Sequence, residues 1–248
     1  MAESVDAMDS KPIIFGCAGS SPAPSTLILN QLNPLSSDVR VQVPPAALCT
    51  ENSDIVLCVT TRNLKAFIIG VALGDGNLSN PNGKAIRLRI TCDSKYQDVI
   101  KEITGKLRIL FPGNKVSLVQ RKDRCVDVSV YSIMLAELLP WKVNHGTKYD
   151  QQAHVPDWIY ENPQYIKSCL RGLILSDGSI YYDRKYLMVN VCTNIKPLAQ
   201  DVLQLAKSLG YTGTLSITDQ PSGRMKYTVR FARNTQQLLQ TLRLTTKS

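Results

Sequence analysis

Leu64-Lys-Ala-Phe-Ile-Ile-Gly-Val-Ala-Leu-Gly-Asp-Gly-Asn-Leu78 reads as an apolar helix running into Asp75-Gly76. The same design returns 102 residues later as Tyr165-Ile-Lys-Ser-Cys-Leu-Arg-Gly-Leu-Ile-Leu-Ser-Asp-Gly-Ser-Ile180, ending in Asp177-Gly178. Gly70 with Gly74, and Gly172 with Ser176, are small residues four apart, so each pair lies on one helix face and leaves it nearly bare. Two bare faces can pack backbone to backbone, forming a helix seam. Each helix also ends in an aspartate, the wrong charge for the negative end of a helix dipole. Packed together, the helices bring both carboxylates to the same end, where like charges require a cation. A divalent metal shared by Asp75 and Asp177 meets that requirement.

Ile68-Ile-Gly-Val-Ala-Leu-Gly-Asp-Gly76 and Leu170-Arg-Gly-Leu-Ile-Leu-Ser-Asp-Gly178 resemble the nine-residue signature of the LAGLIDADG homing endonuclease family, in its single-chain, two-motif type. The glycine stands in third place in both copies and Asp-Gly closes each. A single apolar helix ending in Asp-Gly is common. Two copies about a hundred residues apart, each followed by a similar string of elements, are far more specific. The resemblance runs from Leu64 to the C-terminus.

Charge is unevenly placed along the 248 residues. Residues 1–63 hold 3 basic and 6 acidic side chains, whereas residues 64–248 hold 26 and 14. A basic body of net charge +12 beside a slightly acidic first quarter points to a polyanionic partner, nucleic acid first. The 44% hydrophobic content suffices for a real core. Seven scattered cysteines with no C-x-x-C pair indicate neither a zinc site nor a disulfide framework, and reduced thiols in a cytoplasmic protein are expected. Only two histidines, His145 and His154, are present, which disfavours histidine-based chemistry. No apolar run has the length of a membrane span, so no membrane partner is expected.

Four segments follow. Residues 1–63 form an N-terminal extension interrupted by Pro22, Pro24, Pro34, Pro44 and Pro45, with short strands expected around Val39–Val43 and Ile55–Thr60. Its opening, with Ala18-Gly-Ser-Ser-Pro-Ala23, is similar to a translated transfer-RNA gene, which would put the true start further on; an ordinary disordered tail reads equally well. Residues 64–140 and 163–248 are two αββαββα repeats, separated by a linker over 141–162. In the first repeat, alternation marks strands at Ala85–Thr91, Lys115–Gln120 and Val126–Tyr131, with a helix at Tyr96–Leu110. In the second, strands are expected near Ser179–Tyr182, Tyr186–Cys192, Gly213–Thr218 and Lys226–Ala232, with helices at Tyr165–Ser176, Pro197–Leu209 and Asn234–Leu242. The fold class is α+β, two antiparallel β-saddles related by a pseudo-two-fold axis.

The resemblance implies that Asp75 and Asp177 hold Mg2+ or another divalent ion at the scissile phosphates of duplex DNA. It also implies a basic or amide residue at strand ends near the metal. The second repeat offers Asn194 and Arg233 there. The first reads Thr91-Cys92-Asp93 and Tyr131-Ser132-Ile133, with no equivalent. DNA reading falls to the hairpins laid in the major groove. Arg87 and Arg89 share one strand face; Tyr182, Arg184, Lys185 and Tyr186 surround the second repeat's first hairpin loop; and Arg121, Lys122 and Arg124 at another tip suit phosphate contacts. The leading function is a monomeric, metal-dependent, site-specific DNA endonuclease of the intron-homing kind. The alternative is a non-cutting binder of the same fold, an intron maturase folding its own RNA or a decayed nuclease. Protein splicing is disfavoured, since it needs His-Asn at the end and the chain ends Thr245-Thr-Lys-Ser248.

Overall fold

The computed structural model describes residues 13–14 and 51–245. Its centre is a pair of helices, α1 (Glu51–Asp75) and α4 (Pro163–Asp177). Asn162 caps α4, its Oδ1 accepting from the Gln164 amide at 2.8 Å, and Pro163 follows at the first turn, where a missing N–H costs nothing. The strand expected at Ile55–Thr60 is instead helical and belongs to α1. A short apolar run cannot be told from buried helix by periodicity, and no breaker separates it from Leu64 onward. The strand expected at Val39–Val43 lies outside the described residues.

From α1 the chain makes β2 (Gly76–Ser79), β3 (Ile86–Asp93), α2 (Gln97–Leu110), β4 (Val116–Gln120), β5 (Cys125–Ser132) and the short α3 (Leu135–Leu138). From α4 it makes β6 (Gly178–Asp183), β7 (Tyr186–Thr193), α5 (Lys196–Ser208), β8 (Thr214–Asp219), β9 (Met225–Phe231) and α6 (Thr235–Thr241). The unit is αββαββα twice, as the sequence pattern expects. One sheet runs β2-β3-β5-β4 and the other β6-β7-β9-β8, every neighbour antiparallel. A two-residue strand, β1 (Ile13–Ile14), extends the second sheet by pairing with Ile180 and Ser179. The sequence gives no periodic signal for so short a pairing.

Alternation gives each sheet an inner face over the core and an open face. Leu88, Val130 and Val116 align across the first sheet, and Val189 aligns with Phe231 in the second; all are buried. Ile100, Ile103 and Leu107 of α2 and Leu198, Val202 and Leu205 of α5 face inward, the apolar stripe of a 3.6-residue period. The linker adds Trp141, Ala153, Val155 and Ile159 to the core. Asp201 anchors that linker by accepting from the Val155 amide at 2.7 Å and the Tyr160 hydroxyl at 3.1 Å. Cys92 and Cys169 are buried free thiols and Cys192 a half-buried one. Cys125 is disulfide-bonded, which corrects the expectation of reduced thiols throughout. Linear spacing cannot reveal cysteines that only folding brings within bonding distance. Among the described residues no helix is long and apolar enough to cross a membrane.

Candidate metal centre and nucleic-acid interface

The helices meet on the small residues. A Cβ placed on Gly172 would lie 2.5 Å from the Phe67 carbonyl oxygen and 2.8 Å from the Val71 nitrogen, and one on Gly70 would collide with the Cys169 carbonyl. Gly74 faces Ser176, whose hydroxyl turns back onto the carbonyls of Gly172 (3.0 Å) and Leu173 (3.2 Å). That internal bond removes the one polar atom on the bare face from competition. A Cβ on Gly74 would also stand 3.2 Å from the Asp177 carboxyl carbon, so the second aspartate lies against the end of the first helix. Asp75 and Asp177 therefore converge.

Burial raises the pKa of Asp75, Asp177 raises it further, and Lys148 opposes both. Burial raises that of Asp177 too, again opposed by Lys148. The lysine comes from the linker. Its ammonium donates to the carbonyls of Ala72 (3.2 Å), Leu73 (2.8 Å) and Gly74, at the C-terminal end of α1. Those carbonyls lose their intrahelical partners where the chain turns into β2, so the ammonium caps them. No periodicity or motif singles out Lys148; only the fold brings it to residues more than seventy positions away.

The two aspartates have unlike surroundings. Asp75 shares a narrow crevice with Cys92, Asp93, Tyr96 and Ser176. Asp177 opens onto a cavity of about 340 Å³ lined by Lys148, Thr193, Asn194, Gln220, Arg224 and Lys226, among others. Asn194 thus sits beside Asp177, while Asp93 occupies the corresponding strand end beside Asp75. Arg233 is exposed and does not line this cavity; Arg224 and Lys226, on the β8–β9 hairpin, do so together with Lys148. The sequence pattern missed them because a hairpin loop and an adjoining strand end carry no motif. Two carboxylates and an amide oxygen are hard donors, the set suited to Mg2+ or Mn2+, which commonly take one or two carboxylates and complete their shell with substrate phosphates. The residues fit such an ion.

Beside this centre lie the ends of β3 and β7, one strand from each sheet. Arg87 and Arg89 alternate with buried Leu88 and Ile90 and so stand on the open face of the first sheet. Arg87 donates to the Ser79 hydroxyl at 3.1 Å, and the Arg89 Nε is buried without a hydrogen-bond partner among the described residues. Arg121 is paired with Asp123 (3.0 Å) and Asp127 (3.8 Å), while Lys122 and Arg124 are exposed at the same tip. In the second sheet the Asp183–Tyr186 pairing closes the hairpin over Arg184 and Lys185, Arg184 taking the positive-φ position. Tyr186 stands on the open face and is 71% exposed. Tyr182 pairs with Leu187 on the opposite face, so alternation separates it from Tyr186. Tyr181, Asn190 and Arg230 share the open face instead, the Asn190 amide donating to the Tyr181 hydroxyl at 2.8 Å. Counting back from a two-residue loop would have found them.

Two αββαββα units, joined on a glycine seam with twin aspartates at one end, define the paired-saddle class in which one chain supplies both halves of the site. The chain belongs to the LAGLIDADG family. A LAGLIDADG-like domain matches residues 164–242 and a WhiA LAGLIDADG-like domain matches residues 64–131. The structure of I-DmoI in complex with DNA and Mn is similar over 76% of this chain and 99% of that one, at 18% identity and a TM-score of 0.55. Full-length DUF199/WhiA from Thermatoga maritima is similar over 75% of this chain and 56% of its own, at 12% identity and a TM-score of 0.53. Such identities speak for the fold alone. Among curated proteins, the tRNA-splicing ligase RtcB of Methanopyrus kandleri is 29% identical over 177 residues, 60% of this chain and 17% of that protein. The ATP-dependent DNA helicase Hel308 of Thermococcus kodakarensis is 27% identical over 153 residues, 60% of this chain and 13% of that protein. The chain therefore spans less than a fifth of the curated relatives it matches.

Proposed function

We propose that this protein is a metal-dependent, site-specific DNA endonuclease of the homing type, acting as a monomer on duplex DNA. The observation that carries the reading is the convergence of Asp75 and Asp177 at one end of the α1–α4 seam, flanked by the ends of β3 and β7, one from each antiparallel sheet. Two further facts support it. Structures similar over most of the chain are complexes with DNA and with Mn, Ca or Mg. The same unit also resembles a small part of a ligase and of a helicase, proteins of unrelated activity, as expected of a module that moves between hosts.

In this reading the sheets lie in successive stretches of major groove, where Arg87, Arg89, Tyr186 and Arg230 address base edges or phosphates. Lys122, Arg124, Arg184 and Lys185, at the hairpin tips, hold the backbone. The seam then faces the phosphodiesters between the two stretches. Asp75 and Asp177 would hold the divalent ion, which lowers the pKa of water and neutralises charge developing on the phosphate. Asn194 orients water beside Asp177 through its amide. Asp93, at the matching strand end beside Asp75, accepts a hydrogen bond from water on the other side. Arg224 and Lys226 offset negative charge that builds on the phosphate oxygens.

A non-cutting binder of DNA or intron RNA is the second reading, favoured by Lys148, which supplies a cation at the seam without any metal. Incubation with a randomised duplex library in Mg2+, followed by sequencing of the cut ends, separates the two. The endonuclease reading expects cut ends that converge on one long motif; a library that is retained by the protein but never cut would leave only the binder.

A further inference from the structure

The twin aspartates account for a cation at the seam, but the cation the fold itself places there comes from the linker. Lys148 has three ammonium protons and three carbonyl partners, Ala72, Leu73 and Gly74. Its side chain is steered from both ends. At the tip, the ammonium lies 5.6 Å from the centroid of the buried Trp141 ring. At the base, Asp150 accepts from the Thr147 amide (2.7 Å) and hydroxyl (2.8 Å), and the Lys148 carbonyl accepts from Ala153 (3.0 Å). Gln151 ties the same turn to Lys142 and Gly146, and Tyr149 packs 4.6 Å from the Arg224 guanidinium. A turn with this many internal bonds is built to deliver one side chain to one place.

That place is where a divalent ion would go. The end of α1 presents the carbonyls that the ammonium caps and its negative dipole, Asp75 is its last residue, and Asp177 lines the same cavity as Lys148. One ammonium offsets roughly half of the charge of two ionised carboxylates. Its hydrogen bonds go to carbonyls and not to the carboxylates, yet its charge beside them repels a second cation brought to Asp75 and Asp177, most strongly where water is scarce.

We propose that Lys148 is an intramolecular counter-cation, which pins the linker turn to the end of α1 and competes with a divalent ion for the Asp75–Asp177 pair. The metal-free protein is then held together at its seam without metal, and metal binding is weaker than the donor set alone would give. On DNA, the phosphates add the negative charge that tips this competition toward the metal, so that the ion loads where it is used. The inference rests on the carboxylates as cation ligands and not on cleavage; a protein that binds DNA without cutting it would show it equally.

The probe is Mn2+ alone, titrated by calorimetry and by electron paramagnetic resonance into the full chain and into Lys148→Met, with no DNA present. Lys148→Met is expected to melt at a lower temperature in chelator and to bind Mn2+ at least tenfold more tightly than the parent. Unchanged or weaker Mn2+ binding by a folded Lys148→Met overturns the proposal. If Lys148→Met does not fold, the same substitution is made together with Asp75→Asn and Asp177→Asn. Recovery of a cooperative melt then supports the counter-cation role, because the lysine is needed only while the carboxylates are there. Failure to recover overturns it and leaves Lys148 as a cap for the carbonyls alone. A parent protein that never cuts DNA, with the Lys148→Met effect on Mn2+ binding intact, would sink the endonuclease reading and leave this one standing.

Discussion

At the residue scale Gly70 and Gly172 matter because backbone, and not a flexible side chain, is what an added Cβ would strike. A Cβ on Gly172 meets the Phe67 carbonyl and the Val71 nitrogen, neither of which can move aside without the helix. Gly172→Leu is therefore expected to cost about 3 kcal/mol or more, at or beyond the upper end of ordinary overpacking. Urea denaturation reads this directly, and a midpoint equal to the parent's would mean that the helices are not in backbone contact. Asp177→Asn acts differently. It removes one of two like charges from a poorly hydrated site, so the metal-free protein should melt at an equal or higher temperature, while Mn2+ binding falls at least tenfold. A lower melting temperature in chelator would show that Lys148 needs that carboxylate more than the carboxylates repel each other.

At the element scale, one ionic cluster ties the repeats together. Glu102 of α2 accepts from Arg171 of α4 at 3.1 and 2.7 Å and from Lys106 at 2.6 Å. Arg171 also donates to the carbonyls of Leu242 (2.7 Å) and Arg243 behind α6, and the Lys106 ammonium lies 3.4 Å from the centroid of the Phe67 ring. The side chains are about a quarter exposed, so removing Arg171 should cost less than breaking a fully buried pair, about 2–3 kcal/mol for Arg171→Met. Burial pushes the Glu102 pKa up, but hydrogen bonds from Arg171 and Lys106 outweigh it, and the carboxyl titrates below its ordinary value of 4.5. A depressed folded-state pKa contributes stability that is present above pH 4.5 and lost as pH falls through the lower value. Glu102→Gln should accordingly flatten the acid limb of a stability–pH curve; an unchanged limb would place the acid sensitivity elsewhere.

The same scale shows what the sequence makes legible. Alternation and 3.6-residue periodicity locate the elements of both repeats because each element has one wet face and one dry face. They misread Ile55–Thr60, where an apolar run offers no contrast between faces. They also missed β1, which is too short to have a period. The twin Asp-Gly motifs mark the centre of the proposed site, since helix ends with that charge are costly unless used. Lys148, Arg224 and Lys226 were not legible. Each reaches the centre from a loop or strand end, by contacts between residues far apart in sequence. Tyr182 and Tyr181 differ only by the side of the strand they occupy, and one step of register decides it.

At the scale of the whole molecule, a body of net charge +12 over residues 64–248 presents two open β-faces beside a single paired-carboxylate centre. Association with duplex DNA should release condensed counterions. For about 6–10 phosphate contacts, affinity should fall by roughly 10³–10⁵ between 50 and 200 mM salt. A salt series by fluorescence anisotropy checks this, and a flat response would remove the basic faces from the interface.

The central claim is that Asp75 and Asp177 act together on a phosphodiester that the sheets have already bound. The measurement that bears on it most directly is a parallel determination of binding and cutting on one selected duplex, for the parent protein, Asp75→Asn, Asp177→Asn and the double variant. The account predicts that every variant binds within a few fold of the parent, and that each single substitution slows cleavage by about a hundredfold to a thousandfold or more. The double variant should leave no cleavage above background. A double variant that still cuts in Mg2+ at the parent's rate would contradict the claim, and the chemistry would have to be sought away from the helix seam.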